Sequence, residues 1–191
     1  MNIQEANEIV QEWINEGDEG KQLYLDGLTS AVGLTLPESV ARFLSLDGLT
    51  SAEGLTLPTK VGDLSLDGLT SAVGLTLPTK VQNLYLNGLT SAVGLTLPTE
   101  VRDLSLDGLT SAVGLTLPTN VRDLSLDGLT SAEGLALPES VGGDLSLDGL
   151  TSAVGLTLPI SIRETVWLRD LPLADNVALR NRYPNLAHKI K

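Results

Sequence analysis

The stretch LSLDGLTSAVGLTLPTNVRD, residues 104–123, decides the fold because it recurs along most of the chain. Copies that open on Leu-x-Leu follow one another every 20 or 21 residues from Leu23 onward, and Val166-Trp167-Leu168 opens a degraded eighth copy. A fixed period of this length is typical of a solenoid, in which each repeat forms one coil that buries its apolar side chains against its neighbours. The sequence therefore predicts a β-solenoid of about seven coils with a parallel β-sheet.

Each copy contains two short alternating segments, which in this copy are the Leu-Ser-Leu of 104–106 and the Leu-Thr-Leu of 115–117. Alternation of apolar and polar residues is typical of strands, and the Asp-Gly, Val-Gly and proline positions around them are typical of turns. We therefore expect two regular sheets, with equivalent leucines about 4.8 Å apart. The extra residue of the longer units precedes a Leu-x-Leu segment, which favours a loop there.

Helical caps are expected at both ends. Residues 3–16 place Ile3, Ala6, either Ile9 or Val10, and Trp13 on one helical face before the stop signal Gly17. A second helix is expected from Leu173 to Tyr183. The apolar residues expected to seal the last coil are Leu173, Val177, Leu179, Leu186 and Ile190. One continuous domain would thus comprise an N-terminal cap (1–22), a solenoid (23–170) and a C-terminal cap (171–191), because solenoids need capped ends.

The spacing Leu-Pro-x-x-Val-x-x-Leu-x-Leu, as in residues 97–106, resembles the short bacterial class of leucine-rich repeats. The helix with Trp13 before the first Leu-x-Leu also resembles the cap of that class, so the resemblance covers roughly residues 3–170. It implies a scaffold that recognises proteins on its inner sheet. The family usually has a ladder asparagine three residues after the second strand leucine, whereas this chain has leucine. The positions are Leu28, Leu49, Leu69, Leu89, Leu109, Leu129 and Leu150.

Stacking of the coils aligns the outward residues around each Leu-Ser-Leu strand in three columns. The first column is Phe43, Asp63, Asn83, Asp103, Asp123 and Asp144. The central column is Tyr24, Ser45, Ser65, Tyr85, Ser105, Ser125, Ser146 and Trp167. The third column is Asp26, Asp47, Asp67, Asn87, Asp107, Asp127 and Asp148. We call the surface formed by these columns the acidic face.

We predict that the acidic face contacts a partner. The predicted contact residues are Tyr24, Asp26, Asp47, Asp63, Asp67, Asn83, Tyr85, Asn87, Asp103, Asp107, Asp123, Asp127, Asp144, Asp148 and Trp167. Within this set, Asn83, Tyr85 and Asn87 replace the usual Asp-Ser-Asp. A tyrosine between amides is typical of a contact centre, and neutral drift at an exposed position explains it equally well.

Carboxylates one coil apart repel one another by on the order of 3 kcal/mol per pair before screening, at about 5 Å and an effective dielectric near 20. Three arrangements can offset this repulsion. Each Asp-Gly corner can form a local Asx-turn, a cationic partner can bind, or Ca²⁺ can lie between neighbouring columns. The sequence leaves all three open.

The composition disfavours several classes of function. A formal net charge of -12 disfavours direct binding of nucleic acid or of an anionic membrane. The absence of Cys excludes thiolate chemistry, and Ser/Asp pairs without a base predict neither catalysis nor a cofactor. Residues 160–191 alone have a basic excess, which can orient a partner or contact the acidic N-terminal cap of another copy, so self-association stays open. The lack of a signal-peptide pattern leads us to expect a cytoplasmic protein.

The leading hypothesis is a non-enzymatic binding solenoid whose acidic face docks on a basic or polar protein surface. A sharper version is an inhibitor that mimics nucleic acid, as small acidic anti-defence proteins of phages do. The alternatives are a structural or designed repeat scaffold without a specific ligand, or an ice-binding or calcium-binding solenoid. The threonine of each Leu-Thr-Leu segment is the observation behind the ice-binding alternative.

Overall fold

The computed structural model describes residues 1–18 and 20–191, and it confirms the predicted β-solenoid of about seven stacked parallel coils with one helix at each end. The helices are α1 (Ile3–Glu16) and α2 (Leu173–Arg182). The strands are β1 (Gln22–Tyr24), β2 (Ser39–Ser45), β3 (Lys60–Ser65), β4 (Lys80–Tyr85), β5 (Glu100–Ser105), β6 (Asp123–Ser125), β7 (Ser140–Val141), β8 (Leu145–Ser146), β9 (Ser161–Ile162) and β10 (Val166–Trp167).

One eight-stranded parallel sheet carries the Leu-Ser-Leu segments, in the order β1-β2-β3-β4-β5-β6-β8-β10. Leu64 is in register with Leu84, and Leu84 is in register with Leu104, so equivalent leucines stack one coil apart. All three side chains are buried. Because an isolated coil would expose them, each coil is stabilised mainly by its two neighbours.

The second regular sheet expected from the Leu-Thr-Leu segments does not form, since these segments are not strands in any described coil. The N–H of Leu75 donates to the carbonyl of Ala72 at 3.0 Å and closes a β-turn. Its third residue, Gly74, has φ 80°, as a type II turn requires. Pro78 has no N–H, so this short segment keeps too few donors for a ladder. A small second sheet forms elsewhere, from β7 and β9.

The extra residue of the longer units has two outcomes. In β2 it forms a bulge between Val40 and Phe43 inside a continuous strand, so the expected loop is wrong there. In the last two coils the strand is divided, as β7 with β8 and as β9 with β10, which confirms the loop at those positions.

The Asp-Gly corners need glycine because adjacent coils approach closely at this point. In one corner the N–H of Leu69 donates to the carbonyl of Leu66 at 3.1 Å and closes the turn. A Cβ on Gly68 would lie 2.0 Å from the carbonyl oxygen of Asp47 and 2.6 Å from that of Leu49, both in the preceding coil. The space between coils therefore admits no side chain.

Helix α1 covers the first coil as predicted. It begins with a capping box, in which the Asn2 side chain accepts the N–H of Glu5 at 3.0 Å and the Glu5 carboxylate accepts the N–H of Asn2 at 2.8 Å. Its buried side chains are Ala6, Val10 and Trp13. These residues join the same hydrophobic core as the leucines of the coils.

Helix α2 covers the last coil with fewer apolar side chains than expected. Three of the expected residues are buried, namely Leu179, Leu186 and Ile190. Leu173 and Val177 are instead 80% and 48% exposed, so the expectation that they seal the coil is wrong. A polar contact positions this end of the helix, because the Asp175 carboxylate accepts the N–H of Ala153 at 3.0 Å.

Residues 189–191 pair with β10 and add a short extension to the main sheet. The N–H of Val166 donates to the carbonyl of Lys189 at 3.0 Å, and the N–H of Lys191 donates to the carbonyl of Val166 at 2.8 Å. This pairing covers the edge that β10 would otherwise expose.

Neither helix of the described residues has the length and apolar character needed to traverse a bilayer.

Candidate binding face

The structure brings the three predicted columns together on one face of the main sheet. Tyr85 lies in register between Ser65 and Ser105, and Trp167 lies beside Ser146. The first column is also in register, through Phe43, Asp63, Asn83, Asp103 and Asp123. Its one aromatic member, Phe43, packs against Tyr24, with ring centroids 5.6 Å apart.

Each aspartate of the third column accepts hydrogen bonds from the next coil rather than from its own turn. Oδ1 of Asp47 accepts the N–H of Asp67 at 2.8 Å and the hydroxyl of Ser65 at 2.6 Å. The same type of N–H bond is donated along the column by Asn87, Asp107, Asp127, Asp148 and Arg169. The structure thus favours a ladder between coils over the local Asx-turn, which was one of the three arrangements that the sequence left open.

Asn87 shows what this ladder requires. Its Oδ1 accepts the hydroxyl of Ser105 at 2.6 Å and the N–H of Asp107 at 3.0 Å, as an aspartate does in the other coils. The ladder thus needs an oxygen acceptor and not a charge. Where the acceptor is charged, each hydrogen bond contributes roughly 1.5–3 kcal/mol, which offsets much of the repulsion along the column.

The first column is hydrogen-bonded only where the strands are interrupted. Oδ1 of Asp123 accepts the N–H of Asp144, and Oδ1 of Asp144 accepts the N–H of Thr165, both at 2.8 Å. In the regular coils, Oδ1 of Asn83 and Oδ1 of Asp103 are buried and have no hydrogen-bond partner among the described residues. The first column is therefore less completely satisfied than the third.

Asp103 is the carboxylate that this arrangement perturbs most clearly. Burial, followed by the nearby charge of Asp123, raises the pKa of Asp103 above its ordinary value. Arg102 acts in the opposite direction, with Nε 3.8 Å from Oδ2 of Asp103. The net effect disfavours the charged form, as expected for a half-buried carboxyl beside another carboxylate.

A trough of about 430 Å³ crosses the acidic face between two aromatic side chains. It extends from Tyr85 to Trp167, and the small serines of the intervening strands form its floor. The aspartates along its two sides are Asp103, Asp123, Asp144, Asp127 and Asp148. The sequence placed both aromatics in the central column but did not indicate the trough. The three consecutive serines between Tyr85 and Trp167 in the central column could have indicated it, because small side chains between two large ones leave a depression.

Arg169 occupies one end of the trough. Its guanidinium carbon lies 4.7 Å from the centroid of the Trp167 ring, and its Nη1 lies 3.1 Å from Oδ2 of Asp148. This is a cation–π contact combined with an ion pair. Arg169 takes the third-column position in the last coil, where the earlier coils have an aspartate. It was not predicted as a site residue, although this change from aspartate to arginine could have indicated it.

Tyr85 occupies the other end of the trough and has no such arginine of its own. Burial raises the pKa of the Tyr85 hydroxyl, and the charges of Asp63, Asp103 and Asp67 raise it further. The position that corresponds to Arg169 holds Asn87 in this coil. Tyr85 is thus an aromatic side chain surrounded by carboxylates.

Few basic side chains neutralise the acidic face. Within residues 1–18 and 20–191, its ion pairs are Arg102–Asp103, Arg122–Asp123 and Arg169–Asp148. The first two are long, at 3.8 Å, and exposed pairs of this kind contribute little. No group of three or more acidic or histidine side chains in the described part of the chain has an arrangement that could hold a metal ion.

The basic residues of the C-terminal cap have a structural role. The Arg180 guanidinium donates to the carbonyl of Ala187 at 3.0 Å and also to that of Ile190. Lys189 donates to the carbonyl of Arg163 at 2.8 Å. These cations satisfy carbonyl groups of the cap and of the last coil.

No protein-family model, no curated protein and no solved structure matches this chain.

Proposed function

We propose that this protein is a non-enzymatic binding module whose acidic face receives a cationic segment of a protein partner. The trough between Tyr85 and Trp167 is the observation that carries the proposal. It is concave, it has carboxylates along both sides, and it has an aromatic side chain at each end. Interfaces commonly combine such aromatic anchors with a polar surround.

The ladder supports this role because it fixes the carboxylates before a partner arrives. Oδ1 of Asp107 accepts the N–H of Asp127 at 3.0 Å and the hydroxyl of Ser125 at 2.6 Å. A side chain held in this way loses little conformational freedom on binding, and the cost of ordering it is correspondingly small. Asp67 and Asp127 use only Oδ1 in the ladder, so their second carboxylate oxygen is available to a cation.

The charge of the whole chain supports the same partner chemistry. With a net charge of -12 and few ion pairs on the face, a cationic segment would be attracted over a distance of about one Debye length. The proposal includes that the chain is a divergent member of the short leucine-rich-repeat class. The resemblance supports this, since that class recognises proteins on the corresponding sheet.

A fluorescein-labelled hexalysine peptide tests the proposal by fluorescence anisotropy. We expect binding at about 20 mM salt and a marked loss at about 300 mM salt, because the Debye length shortens. The triple variant Asp107→Asn, Asp127→Asn, Asp148→Asn should bind at least about tenfold more weakly, since it removes three charges of the face. The ladder should survive in this variant, because Asn87 already supports it.

The matched control removes three charges away from the acidic face, as Glu53→Gln, Glu133→Gln, Glu139→Gln. We expect this control to bind hexalysine within about twofold of the unaltered protein, because distant charges are screened. An equal loss in both triple variants would show that only net charge matters. Absence of binding at low salt would favour a scaffold without a specific ligand.

A second candidate function is mimicry of nucleic acid, and the spacing of the columns favours it. The first and third columns lie four residues apart along the strand direction, which corresponds to at most about 13 Å. The major groove of B-DNA is about 12 Å wide. A partner captured through the acidic face should then be displaced by double-stranded DNA. A partner retained at saturating DNA would contradict mimicry and leave simple cationic docking.

A further inference from the structure

The trough contains its own example of a bound guanidinium. Arg169 stacks over Trp167 at 4.7 Å from the ring centroid and pairs with Asp148 at 3.1 Å. Asp148 belongs to the third column, one coil before Trp167. The protein therefore shows which side chains hold an arginine on this face, namely an aromatic of the central column and a third-column aspartate of the preceding coil.

An equivalent pair of side chains recurs around Tyr85, at the other end of the trough, although its aspartate, Asp67, does not itself line the trough. Tyr85 takes the place of Trp167, and Asp67 takes the place of Asp148, because both pairs are related by the same one-coil step. Asn87 holds the position of Arg169, but its Oδ1 is committed to the ladder. A neutral amide this short cannot supply the missing guanidinium.

We infer that Tyr85 receives an arginine side chain of the partner, which stacks on the ring and pairs with Asp67. This inference rests on the proposed function and deepens it by naming the group that is recognised. Tyr85 is half-buried and lines the trough, so one part of the ring is fixed while another part faces the open space. Asp63 and Asp103 lie in the first column on the two strands beside Tyr85 and add negative charge.

Arginine is favoured over lysine at such a site for physical reasons. A guanidinium is planar, is weakly hydrated and stacks on aromatic faces while its N–H groups reach a carboxylate. A lysine ammonium is compact and strongly hydrated, so it loses more hydration when it approaches a ring. Hexalysine would therefore sense mainly the charge of the acidic face, whereas hexaarginine would also sense Tyr85.

The test compares hexaarginine with hexalysine on three proteins by fluorescence anisotropy. The arginine preference is the dissociation constant of hexalysine divided by that of hexaarginine. This ratio should be about fivefold larger for the unaltered protein than for Tyr85→Ser. Serine is a conservative replacement here because most coils have serine at this position. Val93→Ser is the control and should keep the preference, since Val93 is an exposed apolar side chain of the same coil that does not line the trough.

The outcomes separate this inference from the proposed function. An unchanged arginine preference in Tyr85→Ser, with salt-dependent binding of both peptides, would overturn the Tyr85 site and leave the proposed function standing. Failure of both peptides to bind the unaltered protein would overturn both. A Tyr85→Phe variant that keeps the preference would support stacking on the ring, because the hydroxyl is not needed for it.

Discussion

One side chain of the third column, an aspartate in most coils and Asn87 in one, accepts hydrogen bonds from the next coil. Asp127 illustrates the contact, because its Oδ1 accepts the hydroxyl of Ser146 at 2.6 Å and the N–H of Asp148 at 2.9 Å. An acceptor is required at this point because a half-buried N–H without a partner is costly. The same side chain also brings its charge to the acidic face, so structure and proposed binding depend on different properties of one residue.

Substitution of Asp127 should separate these two properties. Asp127→Ala leaves the Ser146 hydroxyl and the Asp148 N–H without their acceptor, and we expect a loss of about 1–3 kcal/mol in the free energy of unfolding. Asp127→Asn keeps the acceptor, as Asn87 does, and should lose less than about 1 kcal/mol. Urea unfolding followed by circular dichroism measures both. Equal losses in the two variants would mean that charge, and not the acceptor, joins the coils.

Helix α1 is attached to the first coil by a polar contact as well as by its apolar face. Nδ2 of Asn7 donates to the carbonyl of Gly33 at 3.0 Å, and Oδ1 of Asn7 accepts the N–H of Thr35 at 2.9 Å. The Asn7 amide therefore provides partners for one carbonyl and one N–H around the first Leu-Thr-Leu segment, which does not pair with the next coil. This contact sets the position of the helix over the first coil.

Asn7→Ala should destabilise the protein, although alanine favours a helix. The change removes two hydrogen bonds to exposed backbone groups of the first coil, and we expect a loss of about 0.5–1.5 kcal/mol. Asn15→Ala is the matched control on the exposed part of the same helix and should stay within about 0.5 kcal/mol. Because helix propensity changes equally in both variants, their difference in urea unfolding isolates the contact. A similar result for both would assign Asn7 no role in docking.

The molecule as a whole is a stack in which each coil contacts its neighbours. One hydrophobic cluster extends from Ala6 in α1 through the leucines of the coils to Ile190. Strand contacts follow the same order, since β3 pairs with β2 and β4, and β4 pairs with β3 and β5. Stability in such a stack is approximately a sum of coil terms and contact terms between neighbours.

Deletion of one whole coil should therefore leave a folded protein. Without residues 104–123, Asp103 is followed by Leu124, and every column and leucine stack stays in register. We expect cooperative urea unfolding with an m-value about one tenth smaller, in proportion to the buried surface. Deletion of residues 104–113 removes half a coil and should abolish cooperative folding, because one coil then lacks its Leu-Ser-Leu strand. Loss of folding in both deletions would contradict the nearest-neighbour description.

The amino-acid sequence by itself determined the solenoid, the register of its coils and the composition of its face. A constant period aligns equivalent residues without any knowledge of long-range contacts, which is why the stack of Leu64, Leu84 and Leu104 was predictable. It also placed Asp103 beside Asn83 in the first column. Periodicity fixes which residues are neighbours, and this held along the whole repeat.

The tertiary structure decided what those neighbours do. The sequence left the hydrogen-bond partners of the third-column aspartates open. In the structure, Asp47 accepts the N–H of Asp67 in the next coil rather than an N–H of its own turn. The Leu-Thr-Leu segments did not pair; the first N–H of each closes a turn, and the proline that follows has no N–H to extend a ladder. The trough depends on side chains four strands apart, and the position of Arg169 depends on Asp148 in the preceding coil. Hydrogen-bond partners and surface shape depend on several neighbouring coils, so the sequence of a single repeat does not determine them.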